Sequence, residues 1–171
     1  MFDYPEFDSN GILTLCEMGG KNAEMLMTIR VKRFKENETF EVYDEECETA
    51  FLIQRGNAEI SWNGNTEKMI RRDPFEKKPY CLHVPRSSKV SITAAEGTEI
   101  LVQQTDNERD FEPVFYTPDM CLYQEFGKGQ WGGTGHRICS TLFDYDNAPY
   151  SNMVLGEVFN QPGKWSSYPP H

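Results

Sequence analysis

Short segments of alternating polarity, separated by tight-turn chemistry, run through the first hundred residues, and this pattern directs the chain to an all-β fold. Met25–Phe34 sets Met25, Met27, Ile29 and Val31 on one face and Thr28, Arg30 and Lys32 on the other, the period of a half-buried strand. Thr49–Gln54 is a continuous apolar strand that is expected to end in a turn at Arg55-Gly56-Asn57. Ala58–Trp62 alternates again and runs into Asn63-Gly64, a strong hairpin signal. Tyr80–Val84 stops at Pro85, which has no N–H for a ladder. Val90–Thr93 and Glu99–Gln103 flank a Glu96-Gly97 turn and are expected to pair with each other.

No window keeps a helical period over three turns. Strands about 8–12 residues apart, with turns between them, indicate a sandwich or barrel, and a jelly-roll β-barrel is the natural architecture. After Gln104 the texture changes. A polar run, Thr105–Asp110, leads into a segment with Pro113 and Pro118, and then into a stretch with five glycines between 127 and 135. Strand patterning resumes at Arg137–Phe143 and Met153–Phe159, so 111–136 reads as a connector between two units. The chain then runs through an aromatic, Pro-rich segment to His171 with no closing strand, as expected of a truncated chain.

Twenty-seven acidic residues against 17 basic ones give a net charge of −10, which repels phosphate backbones and anionic membrane surfaces. Small molecules or proteins are the expected partners. The longest apolar runs, such as Ala50–Ile53, fall far short of the ~18–20 residues of a spanning helix. The N-terminus lacks the basic start and apolar stretch of a signal peptide, so a cytoplasmic location is expected. Five cysteines at wide spacings, with no C-x-x-C pair, are read as reduced thiols packed as small hydrophobes.

Chemistry-bearing motifs are sparse. Gly127–Gly135 lacks the order of a phosphate loop, and no helix pattern follows it. Asp44-Glu45-Glu46 and Glu48 read as a solvated acidic turn, and Arg71-Arg72 and Lys77-Lys78 as surface charge. The three histidines, His83, His136 and His171, make no closely spaced pair, whereas a catalytic zinc site needs about three converging ligands. His83 is expected to line the barrel or lie on the surface. Phe51, Trp62, Phe75 and Tyr80 suggest an aromatic interior.

The C-terminal run Gly156–His171, with Gly163-Lys-Trp-Ser-Ser-Tyr-Pro-Pro-His171, closely resembles the segment opening the second cupin of 5-deoxy-glucuronate isomerases of myo-inositol catabolism. Gly129-Gln130 with His136-Arg137 resembles the stretch before that cupin, and Arg72–Pro79 followed by Leu82–Pro85 looks like the first. The resemblance implies two tandem cupin barrels: residues 1–110 as an N-terminal barrel, 111–136 as connector, and 137–171 as the start of the second. It implies a divalent metal (Zn, Mn or Fe) in the second barrel, with His171 at the first ligand position and the other ligands lacking counterparts here. In the first barrel the cupin motif falls on Glu41–Thr49, which has no His, and Pro85 is followed by Arg-Ser-Ser-Lys-Val, without the motif's Gly or His. That barrel is therefore expected to be metal-free and structural.

The implied reaction moves a carbonyl from C1 to C2 of 5-deoxy-glucuronate, giving 5-dehydro-2-deoxy-gluconate. Negative charge develops on oxygen, which a Lewis-acidic metal stabilises while an acid/base moves the proton. For the sugar acid's carboxylate, Arg137 is the candidate partner. The 171-residue chain itself is expected to be inactive. Two other readings stand beside this one: a relative acting on 5-dehydro-4-deoxy-glucuronate, and a non-catalytic cupin serving as a sugar-acid-binding or assembly module. An exposed strand edge would favour a homodimer.

Overall fold

A computed structural model describes residues 4–166. Twelve strands are found among them: β1 (Ile12–Cys16), β2 (Thr28–Arg33), β3 (Glu38–Val42), β4 (Cys47–Trp62), β5 (Asn65–Arg71), β6 (Cys81–Val84), β7 (Val90–Ala94), β8 (Glu99–Asp106), β9 (Val114–Tyr116), β10 (Leu122–Phe126), β11 (Arg137–Phe143) and β12 (Leu155–Asn160). All described pairs are antiparallel. One sheet runs β1-β2-β8-β4-β6-β9; β3, β7 and β5 join through the far half of β4 to form the second layer, and β10-β11-β12 make a separate three-stranded sheet. The jelly-roll expectation holds.

The long strand β4 explains how the layers are joined. Its first half pairs with β6 and β8, its second half with β5 and β7, and the register slips between Ile53 and Arg55. The expected turn at residues 55–57 is instead a bend inside one strand. Gly56 sits there at φ +104°, and a Cβ would come within 2.3 Å of Thr98 Oγ1 and 2.7 Å of Thr98 Cα. Only glycine lets the strand cross from one layer to the other so close to that backbone. The Asn63-Gly64 hairpin forms as expected, with both residues at positive φ and Trp62 paired to Asn65. The Glu96-Gly97 turn does not make a hairpin. It carries the chain between layers, so β7 pairs with β3 and β4 while β8 pairs with β2 and β4.

Between the layers lies an apolar core that includes Phe34, Phe51, Ile60, Met69, Leu82, Ile92 and Ile100. Alternation along β4 and β6 sends Phe51, Ile53, Leu82 and Val84 into this core. Ala50, Leu52 and Cys81 point the other way, into a second core with Tyr116, Leu142, Phe143, Met153 and Leu155. β6 is thus buried on both faces. Trp62 and Phe51 are interior as expected, but Phe75 is 83% exposed and meets Phe159 edge-on. Four of the five free cysteines are buried.

β2 reverses the expected polarity. Its polar row of Thr28, Arg30 and Lys32 lies opposite Gln104, Val102 and Ile100 and faces the gap between the layers, with Lys32 buried. The reason is the barrel end it serves, where polar side chains line an opening.

Candidate functional site

That opening is the mouth of the first barrel. Lys32 Nζ donates to Glu38 Oε1 (2.7 Å) and to the Asn10 carbonyl (2.5 Å), and lies 5.5–5.6 Å from the ring centroids of Phe34 and Phe40. The hydrogen bond from Lys32 holds the Glu38 carboxyl below its usual range. Arg30 is paired with Glu17. Gln104 Nε2 donates to Thr49 Oγ1 (3.2 Å) and to Asp44 Oδ2 (3.5 Å). Of the Glu41–Thr49 stretch, on which the cupin motif falls, Glu41, Val42, Tyr43 and Asp44 line this opening with Gln104, and none of the residues just after Pro85 does. Asp44 Oδ1 accepts the Glu46 and Cys47 N–H groups, Thr49 is bonded to Gln104, and Val90 belongs to the apolar core. One carboxylate, one hydroxyl and one amide do not form a transition-metal site. Among the described residues, no group of three or more His, Cys, Asp or Glu is placed to hold an ion.

The outer face of the same sheet carries a second polar centre. His83 and Glu48 are both fully buried, contrary to a surface or barrel-lining histidine and to a solvated Glu48. Strand alternation puts them on the outer faces of β6 and β4, beneath residues 111–152. His83 Nε2 lies 2.9 Å from Glu48 Oε2, and Glu48 Oε1 accepts Ser151 Oγ (3.2 Å) and the Asn152 N–H (2.7 Å). Phe143 stacks flat on the imidazole at 4.3 Å, and Phe111 approaches it at 4.7 Å. His83 Nδ1 has no partner among the described residues. An N–H orphaned there would cost more than a lone pair, so Nε2 carries the proton to the carboxylate. Burial pushes the Glu48 carboxyl up, but hydrogen bonds from His83 and Asn152 outweigh it and leave it below the ordinary range.

A third polar centre joins the first barrel to the three-stranded sheet. Arg71, expected at the surface, is fully buried at the end of β5. Nη1 and Nη2 grip Glu157 of β12 bidentately at 2.7 and 2.6 Å, while the carbonyls of Ile53, Pro74 and Lys77 take the remaining N–H groups. All five guanidinium donors are satisfied. The same face of the sheet brings Phe159 to Phe75 and Tyr123 to the Lys78 ammonium.

Register places Leu122, Phe126, Arg137, Cys139, Thr141 and Val158 on the opposite face. There Leu122, Phe126 and Val158 are exposed. Arg137 lies over the Phe126 ring at 5.3 Å and donates from Nη1 to the Gly135 carbonyl. Its neighbour His136 meets Glu125 Oε1 at 2.7 Å. His171 falls outside the described residues. Spacing gives no sign of the parts that Glu48, His83, Arg71 and Glu157 play, because their partners lie 35 and 86 positions apart. Only the alternation of Cys81 and His83 against Leu82 and Val84 hinted that His83 would point outward.

The two-layered antiparallel barrel, with its β4 crossover and polar mouth, is that of a cupin-type jelly roll. The chain belongs to the KduI/IolB family, whose family model it matches over residues 4–171. It is 28% identical over 127 residues to 5-deoxy-glucuronate isomerase of Geobacillus kaustophilus, covering 72% of this chain and 44% of that one. To the Lacticaseibacillus casei enzyme of the same name it is 23% identical over 168 residues, 95% of this chain and 60% of the relative. The chain therefore spans roughly half the length of these relatives. Among solved structures, an IolB-like protein of Salmonella typhimurium superposes with a TM-score of 0.75 at 19% identity, over 84% of this chain and 54% of that one. No helix among the described residues is long and apolar enough to cross a membrane.

Proposed function

We propose that this chain serves an aldose–ketose isomerase acting on 5-deoxy-glucuronate. In this reading residues 1–110 form a metal-free supporting barrel, 111–136 connect while lending β9 to the barrel's sheet and β10 to the three-stranded one, and 137–171 open a second barrel. The observation that carries it is the two-faced sheet. One face is clamped to the first barrel by Arg71 and Glu157, and the other presents an unfilled apolar surface with Arg137 among it. An open, half-apolar sheet face bearing one guanidinium is suited to be the inner wall of a substrate barrel.

Arg137 would hold the substrate carboxylate, its guanidinium plane pre-oriented by Phe126. A metal in the second barrel would supply Lewis acidity toward the carbonyl. His171 would be its first ligand, with the others coming from sequence that has no counterpart among residues 4–166. Family membership and the 5-deoxy-glucuronate isomerase relatives support the substrate class.

The test is a coupled assay with 5-deoxy-glucuronate and added Mn, Fe or Zn. The 171-residue chain is expected to give no turnover. A chimera of residues 1–166 with the remainder of the Geobacillus kaustophilus relative is expected to turn over, and to lose about 100-fold in kcat/KM with Arg137→Met. Turnover by the 171-residue chain alone, or an Arg137→Met chimera at full activity, would contradict this reading.

A further inference from the structure

We propose that the mouth of the first barrel is itself a metal-free binding site for a small neutral polyol, such as a monosaccharide or a cyclitol, separate from the isomerase site. The pocket has a volume of about 280 Å³ and is lined by Arg30, Lys32, Phe40, Tyr43, Asp44 and Gln104 among others. That is just below the low end of small-molecule pockets, roughly 300 Å³, and is enough for one sugar-sized ring.

Charge decides the class of ligand. Both cations in the wall are already neutralised, Lys32 by Glu38 and Arg30 by Glu17. Asp44 adds a carboxylate at the rim of a chain whose net charge is −10, and Glu41 beside it is paired with Lys89 at 3.1 Å. A carboxylate entering here would meet no uncommitted positive charge, whereas a hydroxyl group would meet both donors and acceptors.

The polar groups suit hydroxyls. Gln104 uses Nε2 on Thr49 and Asp44, while Oε1 accepts no hydrogen bond from a described residue and is not sealed from solvent. Asp44 engages Oδ1 firmly with two backbone N–H groups and keeps Oδ2 in only a 3.5 Å contact. The amide oxygen and the carboxylate oxygen can therefore accept from ligand hydroxyls, and the Arg30 guanidinium can donate to one. Tyr43, more than half exposed at the rim, offers a ring face and a phenol, and Phe40 provides an apolar wall. Side chains with planar polar ends beside an aromatic ring match a molecule that has hydroxyls around its edge and C–H groups on its faces.

The experiment is a titration of the ¹⁵N-labelled 171-residue chain with myo-inositol, D-glucose and D-glucuronate, followed by amide shifts. At least one neutral probe is expected to give saturable shifts centred on Tyr43, Asp44 and Gln104, with a Kd of about 1 mM or tighter. D-glucuronate is expected to bind about tenfold more weakly. Tyr43→Ala, at an exposed position that leaves the core intact, is expected to weaken binding about fivefold, and Gln104→Met to weaken it further. Absence of saturation by roughly 20 mM, shifts centred elsewhere, or D-glucuronate binding as tightly as the neutral probes would overturn the proposal.

Discussion

The first barrel and the three-stranded sheet use the same strand chemistry and reach different ends. In the barrel, two layers close on each other and every alternation finds a buried side, so Phe51 and Leu82 vanish into one core while Leu52 and Cys81 vanish into another. In the three-stranded sheet one end joins the second core through Leu142, Phe143 and Leu155, one face is held by the Arg71–Glu157 pair, the Phe75–Phe159 contact and Lys78 over Tyr123, and Leu122 and Val158 stay exposed on the other. The contrast separates strands buried between two layers from a sheet with one face exposed among the described residues. The sheet itself is fastened in two ways: apolar burial at the second core is spread over many residues, whereas the Arg71–Glu157 clamp is concentrated in a few polar groups whose loss leaves orphans.

The largest expected effect follows from that concentration. Arg71→Met strands the Glu157 carboxylate and three carbonyls, and is expected to cost about 3–5 kcal/mol in urea unfolding. Glu157→Gln keeps the shape and part of the hydrogen bonding and should cost less. If Arg71→Met loosens β10–β12 while β4 and β8 keep their amide protection, the clamp belongs to the sheet, and the comparison is sharpened.

The next effect is on pH dependence. The Glu48 carboxyl lies lower in the folded chain than its ordinary 4.5. Its contribution is therefore fully present above about 4.5 and is lost as pH falls through that value toward the lower folded one. Acid unfolding of the wild type should begin in that window. His83→Phe, which removes one hydrogen bond to the carboxylate and leaves it buried, should cost about 1–3 kcal/mol at neutral pH and flatten the acid limb. Unchanged acid sensitivity in His83→Phe would mean that other carboxylates set it.

The smallest effect is expected on the open face. Val158→Thr and Leu122→Gln should each shift stability by no more than about 0.5 kcal/mol, as exposed positions do. Ile92→Thr in the closed barrel should cost several times more. A large loss from Val158→Thr would show that this face is covered in solution, by a second copy for instance.

Local pattern made much of the barrel legible: the Asn63-Gly64 hairpin and strands β2, β4, β6, β7 and β8 could be read from period and turn residues, whereas β1, β3 and β9 could not. What it concealed were matters of distance. Gly56 reads as a turn because nothing nearby in sequence announces Thr98, the backbone it must pass. Glu48 reads as one more residue of an acidic turn because its partner lies 35 positions on, and Arg71 as surface charge because Glu157 lies 86 positions on. The polar face of β2 turns inward because it borders a mouth, which no alternation rule can anticipate. On the site, the absence of histidine from Glu41–Thr49 was plain in the sequence, but the Gln104–Asp44–Thr49 cluster that stands in its place was not.

The most direct test of the central claim, that the first barrel supports without holding a metal, is paramagnetic broadening of the ¹⁵N-labelled chain by stoichiometric Mn²⁺. The account predicts that the amides of Asp44, Thr49 and Gln104 keep their intensity. Selective loss of the Thr49 and Gln104 signals would place a cation in the barrel mouth and contradict it.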